Sequence, residues 1–189
     1  RKRDLISTRT SSDLVNRDFT ATGPNQLWVT DITEHPTREG TVYACVVLDV
    51  FSRKAVGWSI DRRPEISLVN SVLFMAHSTR RPTPGGIIHA NHGPQFTAWA
   101  FTSNVNKYGL RLSYGTVGDC FDNAMIESFW CPMQTELLDR RKWGTVVELS
   151  SAMADYIDYF HNQKRRHSAL DMLTPTEYEQ LHAPTLQLT

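Results

Sequence analysis

A chain of 189 residues, 40% hydrophobic and 21% charged, is long enough to bury one substantial core, and its 20 basic and 20 acidic side chains give a formal net charge of zero. That balance argues against wholesale electrostatic wrapping of nucleic acid and shifts attention to local patches. Three scattered cysteines exclude a disulfide framework and a C-x-x-C thiolate site, and no apolar run approaches the roughly 18 residues of a membrane span; Arg1-Lys2-Arg3-Asp4 lacks the apolar core of a signal peptide, so a cytoplasmic setting is expected.

Residues 1–24 are polar, rich in Ser, Thr and Arg, and close on Gly23-Pro24, which reads as a basic arm or linker before a fold that starts near Asn25. Three stretches of strand character follow, Leu27 to Thr33, Val42 to Val50 and Ala55 to Ile60, separated by turn signals and therefore consecutive and antiparallel. Ile66, Val69, Val72, Leu73 and Ala76 recur at helical spacing, predicting a helix over 65–79 that ends at the Pro- and Gly-rich run 82–86. A short apolar strand, Ile87 to Ala90, is followed by a helix from Thr97 to Tyr108 and a fifth strand from Leu110 to Tyr114. From Asp122, with Asp122 or Asn123 as N-cap, the chain reads as helical through Leu138. Pro132 in that span predicts a kink or break near Phe129 to Cys131. A further helix is expected over Val146 to Gln163, and Thr174-Pro175-Thr176-Glu177 opens a final short one; 182–189 read as a tail. This order predicts an α/β domain over 25–181, a mixed five-stranded sheet flanked by helices.

Asp31 stands inside an otherwise apolar strand, where a carboxylate is costly to bury unless it is paired, hydrogen-bonded or coordinating a cation; exposure at a strand edge is the bland alternative. Glu127 lies one turn into the helix that starts at Asp122, so both acids can face one site. Asp49 ends a strand beside a turn, where accepting backbone hydrogen bonds explains it better than chemistry. His89 and His92 span a strand-to-loop junction with no second ligand pair nearby, and loop or structural roles are favoured.

The stretches LWVTDIT, VVLDVFSRKAVGW, IIHANHGPQFT, DNAMIESFW and HNQKRRHSALDMLTPTEYE resemble the integrase-like DDE transposases of bacterial insertion sequences, relatives of the retroviral integrases. The resemblance covers about residues 24–180, with five motifs in the family's order and 35 residues between position 91 and Glu127. It implies a ribonuclease-H-like fold whose catalytic, metal-binding positions are Asp31, Asn91 and Glu127. It also implies two Mg²⁺ or Mn²⁺ ions in the intact site and 3′-end cleavage and strand transfer on transposon ends and target DNA. A homo-oligomer on DNA and a location at the bacterial nucleoid follow from the same resemblance, as does a helix-turn-helix segment ahead of the core, which is not readable in residues 1–24.

Position 91 departs from the family pattern: an aspartate is expected and the sequence has His89-Ala90-Asn91. The amide brings no charge, so a cage of three carboxylates becomes one of two. A loss of about 4 kcal/mol from metal-ion catalysis corresponds to a rate about a thousandfold lower, and a nearly inactive chain is expected. Gln134, where many relatives have Lys or Arg, can hydrogen-bond but not neutralise phosphate. Gln95, beside position 91, and Asn162, Arg165, Arg166 and His167, in the carboxyl-terminal motif, are the remaining candidate DNA contacts; Arg165 and Arg166 also suit a helix C-terminus. Thr97 suits a helix N-cap, and Trp99, Trp130 and Trp143 read as core or interface. A non-catalytic protein that occupies transposon ends and a nuclease acting on RNA–DNA hybrids stand as other readings; the Arg and His motif favours the transposase.

Overall fold

The structure is a computed structural model that describes residues 13–115 and 124–182. Five strands, β1 (Leu27–Thr37), β2 (Gly40–Asp49), β3 (Ala55–Asp61), β4 (Ile87–Ala90) and β5 (Arg111–Tyr114), form one sheet in the order β3-β2-β1-β4-β5. β1, β2 and β3 pair antiparallel, whereas β1, β4 and β5 pair parallel, which makes the sheet mixed as expected. The helices are α1 (Ile66–Arg80), α2 (Pro94–Thr97), α3 (Trp99–Lys107), α4 (Ala124–Glu136), α5 (Val146–Ala154) and α6 (Pro175–His182). Among the described residues no helix is long and apolar enough to cross a membrane.

Strand alternation sorts the core into two halves. Leu27 and Val29 of β1, with Val46 and Leu48 of β2, face Ile126, Phe129 and Met133 of α4 and Leu149 and Met153 of α5. Their neighbours Trp28, Cys45 and Val47 face the other way, onto Leu68, Val72 and Ala76 of α1 and Phe101 and Val105 of α3. Gly57 permits this second layer: a Cβ there would lie 2.7 Å from the Val72 carbonyl oxygen, so α1 can approach β3 this closely only over a glycine.

β1 runs four residues past the expected Thr33 and includes Pro36. β4 pairs with β1 only as far as Thr30, so beyond that point one edge of β1 is open and a residue without an N–H costs no ladder bond there. The helix expected over 97–108 is interrupted at Ala98, which is extended and separates α2 from α3. Thr97 is therefore not an N-cap; its hydroxyl donates to the Gly93 carbonyl at 3.3 Å. The break expected near Phe129 to Cys131 does not occur: α4 continues through Pro132. Phe129 and Met133 are buried on either side of it, and their packing offsets the roughly 3 kcal/mol that an interior proline costs. The N-cap expected at Asp122 or Asn123 lies outside the described residues. α5 continues into a π-helical segment, Asp155–His161, so the helix expected over 146–163 is present with a wider second half. α6 begins with reciprocal bonds between Thr174 and Glu177, each backbone N–H donating to the other's side chain.

Two features tie the ends of the chain to the sheet. Val15 is buried in the core and the Leu14 N–H donates to the Ser113 hydroxyl at 2.9 Å, so residues 13–22 of the polar arm lie against the core. At the other end, Arg80 donates to Glu179 at 2.6 and 2.9 Å and to the fully buried Asp49 at 3.2 Å, joining α1, α6 and the end of β2. Asp49 also accepts from the N–H groups of Asn25 and Phe51, the turn role its sequence suggested.

Candidate active site

Asp31 continues the inward series Leu27, Val29 on β1 and so points to the layer that holds α4. Burial pushes its carboxyl up to about 6, and the charge of Glu127 pushes the same way. The Ile32 N–H, the Trp130 indole and the Asn91 amide favour the charged form without offsetting the burial. The two acids legible in the sequence thus share one electrostatic site, with Glu127 on the exposed face of α4.

Asn91 lies just past the end of β4, next to the central strand. Its Nδ2 donates to Asp31 Oδ1 at 2.9 Å, and its Oδ1 accepts the Gly93 N–H at 2.7 Å. These partners fix the orientation of the amide: the N–H of Gly93 needs an acceptor and the carboxylate of Asp31 needs a donor, so a flipped amide would lose both bonds. Residue 93 must approach closely for this, since a Cβ there would lie 2.7 Å from Asn91 Oδ1. Gln95 Nε2 donates to the Pro64 carbonyl at 2.7 Å, anchoring the loop to the connection between β3 and α1.

Trp130, one turn beyond Glu127, adds something the sequence did not reveal. Its indole Nε1 is buried and makes no hydrogen bond of ordinary geometry, yet it lies close enough to favour the charged form of Asp31. A buried donor without a partner costs about 1–3 kcal/mol, and here it stands at the edge of the acidic site. Its apolar surroundings in the sequence mark it as core, and only the packing of α4 on β1 turns its N–H toward the carboxylate.

The donor set fits a two-cation site poorly. Asp31 and Glu127 supply hard oxygens, but position 91 presents an N–H to the space beside Asp31 and has its oxygen engaged by Gly93. Among the described residues there is no group of three or more His, Cys, Asp or Glu side chains able to hold a metal ion.

The remaining candidates are dispersed. Gln134 donates to Asp139 at 2.6 Å on the far part of α4. Asn162 is buried, with Oδ1 accepting the Ala55 N–H and Nδ2 donating to the Ala55 carbonyl, both at 2.9 Å, so its amide brackets β3. Arg165 donates to Glu136, which Tyr156 also reaches, and Arg166 donates to the Met172 carbonyl at 2.9 Å beside Glu177. His167 turns inward against His161, and burial pushes both rings down to about 4, with the charges of Arg53 and Arg165 acting in the same direction. His89 is buried beside Ser113 and Phe19, and His92 stacks on Tyr114, as structural readings of both require. Trp143 is buried and Trp130 is partly buried, whereas Trp99 is 81% exposed.

An Integrase core domain family model matches residues 21–120, and a second model of the same description matches residues 108–175. The transposase for insertion sequence element IS904 of Lactococcus lactis is 38% identical over 171 residues, covering 90% of this chain and 68% of that protein. The transposase InsF for insertion sequence IS3A of Escherichia coli is 34% identical over 169 residues, covering 89% of this chain and 59% of that protein. A chain of the simian T-cell lymphotropic virus intasome superposes with a TM-score of 0.71 at 18% identity, covering 88% of this chain and 57% of that one. The HTLV-2 integrase catalytic core domain in complex with magnesium superposes with a TM-score of 0.61 at 18% identity, covering 85% of this chain and 99% of that one. These likenesses establish the ribonuclease-H-like fold.

Proposed function

The chain belongs to the integrase core domain family and to the transposases of bacterial insertion sequences, and on that premise we propose that it is the catalytic core of a DNA transposase in which Asn91 has disabled strand chemistry. The chain spans about three fifths to two thirds of the length of the relatives it matches. The intact activity of this reading is 3′-end cleavage followed by transfer of the end to target DNA. Its partners are transposon ends, target DNA and further copies of the chain, at the bacterial nucleoid.

Divalent cations such as Mg²⁺ or Mn²⁺, if bound, would supply charge neutralisation for phosphodiester cleavage and transfer. Asp31 and Glu127 are the residues that would ligate them in this chain, and Asn91 replaces the third carboxylate. One observation carries the reading of lost activity: the Asn91 amide donates 2.9 Å to Asp31, so a proton donor stands where a cation needs a lone pair. Gln95, Gln134, Arg165 and Arg166 are the proposed DNA contacts at the surface. Asn162 and His167 support them from within, the first by bracketing β3 and the second by packing on His161.

The same amide bond favours a second reading, a protein that occupies transposon ends without cutting them. Strand cleavage and transfer on a labelled end with Mg²⁺, compared between this chain and Asn91→Asp, separates the two. Transfer by the variant alone establishes a disabled transposase; end binding with no transfer by either establishes the binding protein. Cleavage of an RNA–DNA hybrid but not of the end overturns both.

A further inference from the structure

β1 and α4 carry Asp31 and Glu127, and beyond those residues both elements lead to the same place. The end of β1 (His35, Pro36), Arg38 just past it and the segment after α4 (Leu138, Arg141, Lys142) enclose a groove of about 450 Å³. The groove is built rather than incidental. The Arg38 N–H donates to the Trp143 carbonyl at 3.0 Å, tying the two banks together, and Trp143 Nε1 donates to the Leu138 carbonyl at 3.0 Å beneath them. Leu138 and Trp143 form a buried floor. Arg141 lies 4.3 Å over the Trp143 ring and pairs with Glu148 at 3.0 Å, which holds its guanidinium in position.

The side chains of Arg38 and Lys142 differ from nearly all the other cations discussed above. Both are exposed, and among the described residues neither has a hydrogen bond or ion pair. The acid that lines the groove, Asp139, accepts from Gln134 at 2.6 Å, and Glu39, next to Arg38 in the chain, is engaged by Arg62 and the Val146 N–H. The groove therefore presents an excess of uncommitted positive charge on a chain that is neutral overall.

We propose that this groove binds the phosphate backbone of duplex DNA at a distance from the acidic site, through Arg38 and Lys142. The inference rests on the transposase reading and adds a contact outside its site. The distance fits one continuous duplex. Six residues of extended β1 separate Asp31 from Thr37, roughly 20 Å, and eleven residues of α4 and its exit separate Glu127 from Leu138, roughly 16 Å. At about 3.4 Å per base pair, a duplex whose end lies at Asp31 reaches the groove about five or six base pairs inward, passing Gln134 on the way. An acidic protein segment would meet the same charges but has no reason to lie at that spacing from the acids.

The test is the salt dependence of binding to a fluorescent duplex of about 20 base pairs, read by anisotropy. Arg38→Gln with Lys142→Gln should lower the slope of log affinity against log salt by about 2 and weaken binding roughly tenfold or more near 0.1 M salt. Lys107→Gln, an exposed cation at the end of α3, should change neither; matching thermal melts establish that all three proteins are folded. A double variant with the parent slope overturns the groove while leaving the transposase reading intact. A parent chain that does not bind the duplex overturns both.

Discussion

The Asn91 amide nitrogen lies 2.9 Å from the Asp31 carboxylate, and the other end of the same amide accepts the Gly93 N–H at 2.7 Å. One side chain thus holds both a partly buried acid and the loop that follows β4. Replacing it with a carboxylate keeps the Gly93 bond and sets two negative groups against each other, with Glu127 adding to the repulsion.

Asn91→Asp should therefore destabilise the metal-free protein by about 2 kcal/mol, near 5 °C in melting temperature for a domain of this size. Mg²⁺ should recover that loss in the variant, while the parent chain shifts by less than about 1 °C. The deficit should also shrink as pH falls through about 6, since Asp31 already sits there and protonation removes the repulsion. Melting curves in EDTA and in Mg²⁺ at two pH values decide it; equal metal response in both proteins would mean that position 91 is not part of the cation site.

His161 gives a pH dependence of opposite sign. Burial pushes its ring down to about 4, against about 6.5 in the unfolded chain, so the unfolded state takes up the proton first. Stability is then fully present above about 6.5 and declines as pH falls toward 4, by on the order of 3 kcal/mol from this ring. Ring resonances should show His161 neutral at pH 5.5; a midpoint near 6.5 would show that the pocket formed with Phe129 and the Arg53 carbonyl does not exclude charge.

Among the described residues Arg80 is the only cation bonded to both Asp49 and Glu179, and the two acids are 0% and 13% exposed at their side chains. Burial tends to raise Glu179, but the Arg80 bond and charge outweigh it and leave the carboxyl below its ordinary range. Arg80→Met should cost about 3 kcal/mol or more, chiefly by leaving the buried Asp49 carboxylate without its cation, while the partly buried Glu179 keeps Lys54 and Ser52. Urea unfolding measures this directly, and a loss under about 1 kcal/mol would show that Lys54 and water compensate.

Gln134 occupies α4 between Glu127 and the basic groove. Gln134→Lys should add one phosphate contact, raising affinity for duplex DNA and steepening its salt slope by about 1. An unchanged slope would place the DNA path away from this face of α4.

The sequence made the sheet readable because β1 and β2 are largely apolar runs bounded by turn signals, and Asp31 stood out as a charge within the first of them. The halves of the core and the pairing of Asp31 with Glu127 follow from the same periodicities. What escaped depends on contacts distant in sequence. Pro132 breaks helices by a local rule, yet Phe129 and Met133 keep α4 whole by packing on the sheet. Asn162 looked like a polar surface residue in a basic motif, but it brackets the backbone of Ala55, 107 residues away. The polar arm hid Val15 and Phe19 among charged neighbours, too few apolar residues to register as part of a core. At position 91 the loss of charge was legible, but the bridge it builds was not, because that depends on where Gly93 turns its N–H.

The bridge also bears on heredity. Asparagine and aspartate codons differ at a single base, and the Gly93 N–H can donate to an oxygen of either side chain at position 91. An aspartate at position 91 is therefore one transition away: the loop after β4 already offers it a hydrogen-bond donor, and only the bond to Asp31 would be given up.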